Sequence, residues 1–189
     1  MALLPLKARD IPNLITSLRI VLVAPILWLL LEERYGPVLL LFVVAGVSDA
    51  LDGFLAKYCG WTSRLGGILD PLADKLLLMG TILALGWLGQ LPVWLVALVV
   101  LRDMVIVSGA ISYHVLIERF EAAPLLISKL NTLLQLILVL AVLVNGGVTP
   151  LPAGLLQGLI ALTALTTAWS GLAYVWRWGW RAWSRVRYK

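Results

Sequence analysis

The stretch Leu125-Leu-Ile-Ser-Lys129-Leu-Asn131-Thr-Leu-Leu-Gln135-Leu-Ile-Leu-Val-Leu-Ala-Val-Leu-Val144 carries a single charge, Lys129, near its beginning. A helix rises about 1.5 Å per residue, so about 20 mostly apolar residues cross the hydrocarbon core of a bilayer. This stretch has that length and composition, and so do Leu14–Leu31, Pro37–Leu55, Ile68–Leu88, Leu91–Ile117 and Ala153–Trp176. Turn signals lie between several of them: Glu32-Glu33-Arg34-Tyr35-Gly36, Gly89-Gln90-Leu91-Pro92, and Asn145-Gly146-Gly147 running on to Pro150 and Pro152. A transmembrane β-barrel would show alternating segments of about ten residues, and the sequence has none. The pattern predicts an all-α integral membrane protein with six transmembrane helices.

Composition points the same way. Hydrophobic residues make up 61% of the 189, charged residues 13%, and the mean hydropathy is +0.98. Soluble domains carry roughly 25% charged residues, and disorder needs low hydrophobicity with high charge. Both classes are excluded. The single cysteine, Cys59, allows no internal disulfide, and it has no second thiol or histidine beside it to make it reactive. No small-residue cleavage site follows the first apolar stretch, so a removed signal peptide is not expected. The length suits one membrane domain over residues 1–189, with 1–13 as an interfacial segment and 177–189 as a basic tail.

Orientation follows from lysine and arginine in the connections. Lys7, Arg9, Lys57, Arg64, Arg119 and the tail residues Arg177, Arg181, Arg185, Arg187 and Lys189 fall on one side; Arg34, beside Glu32 and Glu33, falls on the other. Both termini are therefore expected in the cytoplasm. Trp61, Trp176, Trp178, Trp180 and Trp183 suit the interfacial belt on that side, and Trp87 and Trp94 the opposite one. The net charge of +5 lies mainly in the tail, where it faces anionic headgroups; no nucleic-acid partner is expected. His114, near a helix end with no sequence partner, reads as an interfacial histidine.

Arg19, Asp49, Asp52, Asp70, Asp74, Lys75, Arg102, Asp103 and Lys129 lie within or at the ends of the apolar stretches. A charge at the bilayer centre costs roughly 2.5–3.5 kcal/mol on insertion scales, so such residues mark function by default. Four carboxylates sit in one window: Asp49-Ala-Leu-Asp52-Gly53-Phe-Leu-Ala56-Lys57 and, eight residues on, Gly66-Gly67-Ile-Leu-Asp70-Pro-Leu-Ala-Asp74. Spacings of three and four put each pair on one helical face, so two neighbouring helices can converge four carboxylates on one point. Four anions together need cations. All-oxygen ligation suits Mg²⁺, Mn²⁺ or Ca²⁺, and two divalent ions would balance the charge and clamp a phosphoryl group. Mutual salt bridges with Lys57, Arg64 and Lys75 are the bland alternative. Gly53, Ala56, Gly66 and Gly67 would let a phosphate approach the backbone, or simply let helices pack closely.

These residues resemble the CDP-alcohol phosphotransferases, whose signature is Asp-x2-Asp-Gly-x2-Ala-Arg, about eight residues, then Gly-x3-Asp-x3-Asp. Asp49, Asp52, Gly53, Ala56, Gly66, Asp70 and Asp74 match seven of its eight fixed positions with the spacing intact, and Lys57 stands where the family has arginine. The resemblance implies six membrane helices, a homodimer, and transfer of a phosphatidyl group from CDP-diacylglycerol to an alcohol with release of CMP. It implies that Asp49, Asp52, Asp70 and Asp74 hold two divalent cations, commonly Mg²⁺ with Mn²⁺ as the other choice. Asp74 would also act as general base on the acceptor hydroxyl. Gly53, Ala56, Lys57, Ser63, Gly66 and the turn Ile11-Pro12-Asn13-Leu14 would contact CDP-diacylglycerol. Lys57 keeps the charge but loses the planar fork, which weakens affinity more than chemistry.

Further patches resemble the mitochondrial-type, CMP-forming cardiolipin synthases: Ile11-Pro12-Asn13 with Arg19, Leu69–Lys75, Arg102-Asp103, Ile127-Ser-Lys129-Leu-Asn131-Thr132 with Gln135, and Thr163–Ala168. Phosphatidylglycerophosphate synthases tend to carry Gly-Lys-x-Lys-Thr at Ser128–Thr132. A glycerol phosphate brings a dianion that wants an extra cation, whereas phosphatidylglycerol brings a singly charged diester that tolerates Asn131. Arg102, Lys129, Asn131 and Arg19 are the candidate acceptor-binding residues, with ion pairing to Asp103 and the aspartates as the alternative for Arg102 and Lys129. Asn131 and Gln135, four apart, could instead hydrogen-bond across helices. The expected acceptor is phosphatidylglycerol, giving cardiolipin, with glycerol 3-phosphate as the runner-up. The expected setting is a bacterial inner membrane, rather than a mitochondrial one, with the active site facing the cytoplasm. A divalent-cation transporter would use the same carboxylates, but their clustering toward one side and the lack of an inverted repeat argue against it.

Overall fold

The computed structural model describes residues 11–59, 66–116 and 126–186, with side chains over 15–49, 72–109 and 126–177. Six helices lie in these residues, and no strand: α1 Ile11–Leu31, α2 Tyr35–Cys59, α3 Gly66–Trp87, α4 Val93–Leu116, α5 Leu126–Gly147 and α6 Ala153–Val186. Each overlaps one expected span; α2 runs four residues further, to Cys59, and three other ends differ for physical reasons. Ile11-Pro12-Asn13-Leu14 is not a turn before α1 but its first turn. Proline fits there because the first turn's N–H groups have no intrahelical partner. Asn145-Gly146-Gly147, read as a turn, completes α5. The helix α6 runs on past Trp176 to Val186, so most of the basic tail is helical.

Two helical stretches among the described residues, Leu126–Gly147 and Ala153–Arg177, are long and apolar enough to cross a membrane; Ile15–Leu31 and Tyr35–Asp49 are shorter apolar helices. Large apolar side chains stand exposed along the helices, among them Trp169 at 69%, Leu172 at 70% and Leu165 at 68% on α6. In water such a face would drive aggregation; against lipid it is the ordinary solvent contact. Trp87 and Trp94, on either side of the α3–α4 connection, are also exposed, as interfacial anchors should be. Trp61, Trp178, Trp180, Trp183, His114 and Cys59 fall outside the described side chains.

The chain forms two compact units, Met1–Leu88 with Val142–Pro150, and Gly89–Ala141 with Leu151–Lys189. In the first, α1 packs along both α2 and α3. Ile26, Leu30, Val38, Phe42, Leu77 and Leu85 form much of its core. At Gly80 a Cβ would lie 3.3 Å from a Leu27 methyl, so glycine sets the α1–α3 spacing. The end of α5 rests on the start of α2: a Cβ on Gly147 would stand 2.6 Å from the Gly36 nitrogen, and one on Gly146 2.8 Å from the Tyr35 ring. The glycines that looked like turn residues are contact residues. The α1–α2 turn is closed by the Glu33 amide donating to the Leu30 carbonyl at 2.9 Å, with Glu33 itself in the left-handed region at φ 57°. In the second unit α4 packs along α6, over a core that includes Leu95, Val99, Leu138 and Val139.

Candidate active site

The register of α2 and α3 carries the whole motif. With α2 continuous to Cys59, Asp49, Asp52, Gly53, Ala56 and Lys57 share one helix, and Gly66, Asp70 and Asp74 share α3. Two of the four carboxylates have described side chains, and the structure brings them together. The Arg19 guanidinium, reaching from α1, places Nη1 at 2.7 Å from Asp49 Oδ1 and 2.8 Å from Asp74 Oδ1. One nitrogen touching both means that one carboxylate of α2 and one of α3 meet at one point. The side chains of Asp52, Asp70, Gly53, Ala56, Lys57, Gly66 and Ile11–Leu14 lie outside those described, and Ser63 lies outside the described residues altogether.

Burial divides this group. The Arg19 side chain is 1% exposed, while those of Asp49 and Asp74 are 43% and 50% exposed. A buried guanidinium needs carboxylates to hold it, and the carboxylates keep open faces for something else. Arg19, one of the candidate acceptor contacts, forms ion pairs with Asp49 and Asp74. Hard carboxylate oxygens that converge and remain accessible are the donor set that Mg²⁺ or Mn²⁺ uses. Among the described residues no group of three or more acidic, histidine or cysteine side chains forms; Asp52 and Asp70, the remaining members of the motif, fall outside them.

The second unit has its own buried cation. Arg102 on α4, 7% exposed, donates from Nη1 to Asp103 at 2.7 Å, from Nη2 to Ser170 on α6 at 2.7 Å and to Ser128 on α5, and from Nε to Ser170 at 3.2 Å. All three nitrogens are engaged, so Arg102 ties α4, α5 and α6 into one hub. Gly171 packs beside the arm: a Cβ there would make an ordinary contact, 3.6 Å from Arg102 Cγ. One turn further along α5, Asn131 is fully buried and its Oδ1 accepts from Thr167 at 2.7 Å and Thr166 at 3.0 Å. The cross-helix hydrogen bonding given as the alternative for Asn131 and Gln135 is present at Asn131. Lys129, next to Ser128, is exposed and forms no ion pair among the described residues. Ser170 was not singled out in the sequence. Its signal was the polar stripe Thr163, Thr167, Ser170 at helical spacing in an otherwise apolar helix.

The family model described as CDP-alcohol phosphatidyltransferase matches residues 9–170. A CMP-forming cardiolipin synthase of Rattus norvegicus is 37% identical over 181 residues, covering 87% of this chain and 60% of that protein. A chloroplastic CDP-diacylglycerol–glycerol-3-phosphate 3-phosphatidyltransferase of Oryza sativa is 37% identical over 153 residues, covering 72% of this chain and 46% of its own. The corresponding enzyme of Aquifex aeolicus is 32% identical over 126 residues, covering 66% and 70%. The chain thus spans about 60% of the rat protein and less of the rice one.

Proposed function

Because the chain belongs to the CDP-alcohol phosphatidyltransferase family, we propose that it is a phosphatidyltransferase that moves the phosphatidyl group of CDP-diacylglycerol to phosphatidylglycerol, forming cardiolipin and CMP. The observation that carries this reading is the meeting of Asp49 and Asp74, the first and last carboxylates of the motif, at Arg19. In this reading Asp49, Asp52, Asp70 and Asp74 hold two divalent cations, Mg²⁺ or Mn²⁺, which when bound neutralise the diphosphate and stabilise the charge on departing CMP.

The chain's own residues do the rest. Asp74 takes the proton from the acceptor hydroxyl as its oxygen attacks the phosphatidyl phosphorus, and the bond from that phosphorus to the CMP oxygen breaks. Arg19 holds Asp74 through Oδ1, so the carboxylate is oriented before substrate arrives. Gly53 and Gly66 leave the backbone bare for the nucleotide, Lys57 supplies a point charge beside the diphosphate, and Ala56, Ser63 and Ile11–Leu14 complete the CDP-diacylglycerol contacts. Lys129 meets the acceptor phosphodiester, with Arg102 as the buried charge behind Ser128. Six spans, both termini in the cytoplasm of a bacterial cell, and a homodimer complete the proposal.

Asn131 favours phosphatidylglycerol as acceptor: it is fully buried and neutral where a second cation would serve a phosphate dianion. Glycerol 3-phosphate is the second reading, favoured by the likeness to the rice and Aquifex enzymes. Family membership sets the cation-transporter reading aside. The test is purified protein with CDP-diacylglycerol and Mg²⁺, given phosphatidylglycerol in one tube and glycerol 3-phosphate in another. Cardiolipin and CMP in the first alone are expected; phosphatidylglycerophosphate in the second would move the assignment to the runner-up.

A further inference from the structure

A buried polar ladder joins α5 to α6, and the reaction above uses only its Arg102 rung and the neutrality of Asn131. That rung is Arg102 with Ser128 and Ser170; the next is Asn131 with Thr166 and Thr167. As residue numbers rise on α5 they fall on α6, so the helices run antiparallel and the following rung is Gln135 level with Thr163. From Ser128 to Gln135 the ladder advances about 10 Å along α5, one of the two helices most clearly able to cross a membrane.

The rungs are not equally satisfied. At the Arg102 end every guanidinium nitrogen has a partner. Deeper, Asn131 Nδ2, Gln135 Nε2 and Thr163 Oγ1 are buried without any hydrogen-bond partner. Their residues are 0%, 4% and 0% exposed. Leaving buried donors unmatched is costly, and apolar side chains would pack there without that cost. All three atoms can donate, and the two amide nitrogens can do nothing else. What they lack is an acceptor.

We propose that Asn131, Gln135 and Thr163 form a subsite for the ester carbonyl oxygens of a diacyl acceptor lipid, and so select phosphatidylglycerol over glycerol 3-phosphate. This rests on the acceptor reading above, in which the lipid's phosphodiester sits at Lys129 and the Arg102 rung. The ester carbonyls of phosphatidylglycerol lie one glycerol backbone from that phosphate, on the acyl side, and they accept hydrogen bonds without donating. Its reacting hydroxyl lies on the opposite side of the phosphate and is left clear. Glycerol 3-phosphate has no acyl ester carbonyl and would leave all three donors unmatched. Ordered water is the competing occupant.

The test uses Gln135→Met and Thr163→Val, which keep volume and remove the donor. Turnover is measured with phosphatidylglycerol and with its deacylated headgroup, glycerophosphoglycerol, and thermal midpoints are taken in mixed micelles with and without each acceptor. In each variant the KM for phosphatidylglycerol should rise roughly three- to tenfold, the worth of one hydrogen bond. The KM for CDP-diacylglycerol, and turnover of the deacylated acceptor, should stay as in the parent. Unchanged kinetics with a raised midpoint would assign the ladder to water and overturn the proposal, as would equal effects on both acceptors. If the parent makes only phosphatidylglycerophosphate, the acceptor reading falls by itself and the midpoints decide the subsite. Stabilisation by phosphatidylglycerol over its headgroup, lost in both variants, keeps it, and no such stabilisation ends it.

Discussion

Arg19 and Arg102 are both buried cations, 1% and 7% exposed, yet the two units use them in opposite ways. Around Arg19 the partners are carboxylates that stay about half open, so the cation gathers negative charge and leaves it reachable. Around Arg102 the partners are two serines and Asp103, whose side chain is 18% exposed, so the cation is held among largely covered groups. A buried charge must be paired, but the pairing can serve a site or a scaffold. Which it serves is told by the exposure of the partners, not by that of the cation.

The strongest way to break this comparison is Asp74→Asn. If the Arg19 cluster serves a site, CMP release from CDP-diacylglycerol should fall at least 100-fold, the lower range for a lost general base, with the thermal midpoint little changed. Near-parental turnover would sink the assignment of Asp74. Next comes Arg102→Met, which removes the partner of Ser128, Ser170 and Asp103 at once. A loss of about 3 kcal/mol is expected in denaturant titration in detergent, at the level of a broken buried charge network. Combined with Asp103→Asn the losses should be strongly non-additive, because both variants cut the same contact.

Arg19→Met should show the reverse balance. Its partners are solvated, so stability falls by only about 1–2 kcal/mol. Activity should fall further than stability explains, and Arg19→Lys should restore part of it by keeping the charge. Equal stability losses in Arg19→Met and Arg102→Met would erase the distinction between the units. Ser170→Ala is the smallest probe, expected at about 1.5 kcal/mol or less because Arg102 keeps Ser128 and Asp103. It is read most cleanly against the Arg102→Met background, where the effect should vanish.

The sequence showed the six helices, and it placed the four aspartates on two of them, because those signals are local: apolar run length, and spacings of three and four. It did not show what Arg19 does, because its partners lie 30 and 55 residues away and only packing of α1 against α2 and α3 brings them within reach. Gly146 and Gly147 misled for a related reason. Glycine marks turns by its conformational freedom, but here it is required by the closeness of α2's first turn, which no local pattern records. Ser170 escaped because a lone hydroxyl in an apolar helix commonly bonds its own backbone. The unpartnered donors at Gln135 and Thr163 could not be foreseen at all, since partnership is a property of the assembled helices.

The Arg19 pairing also bears on how the protein is made. On the six-span reading, α1 leaves the ribosome before α2 and α3, and it enters the bilayer carrying an arginine whose partners at positions 49 and 74 are still untranslated. An unaccompanied arginine at mid-helix opposes insertion by roughly 2.5–3.5 kcal/mol. The debt is cleared only when α3 emerges, so α1, α2 and α3 should commit to the membrane as a group. A nascent chain arrested before Asp49 should hold α1 less firmly than one arrested beyond Asp74, an ordering in time written by a contact in space.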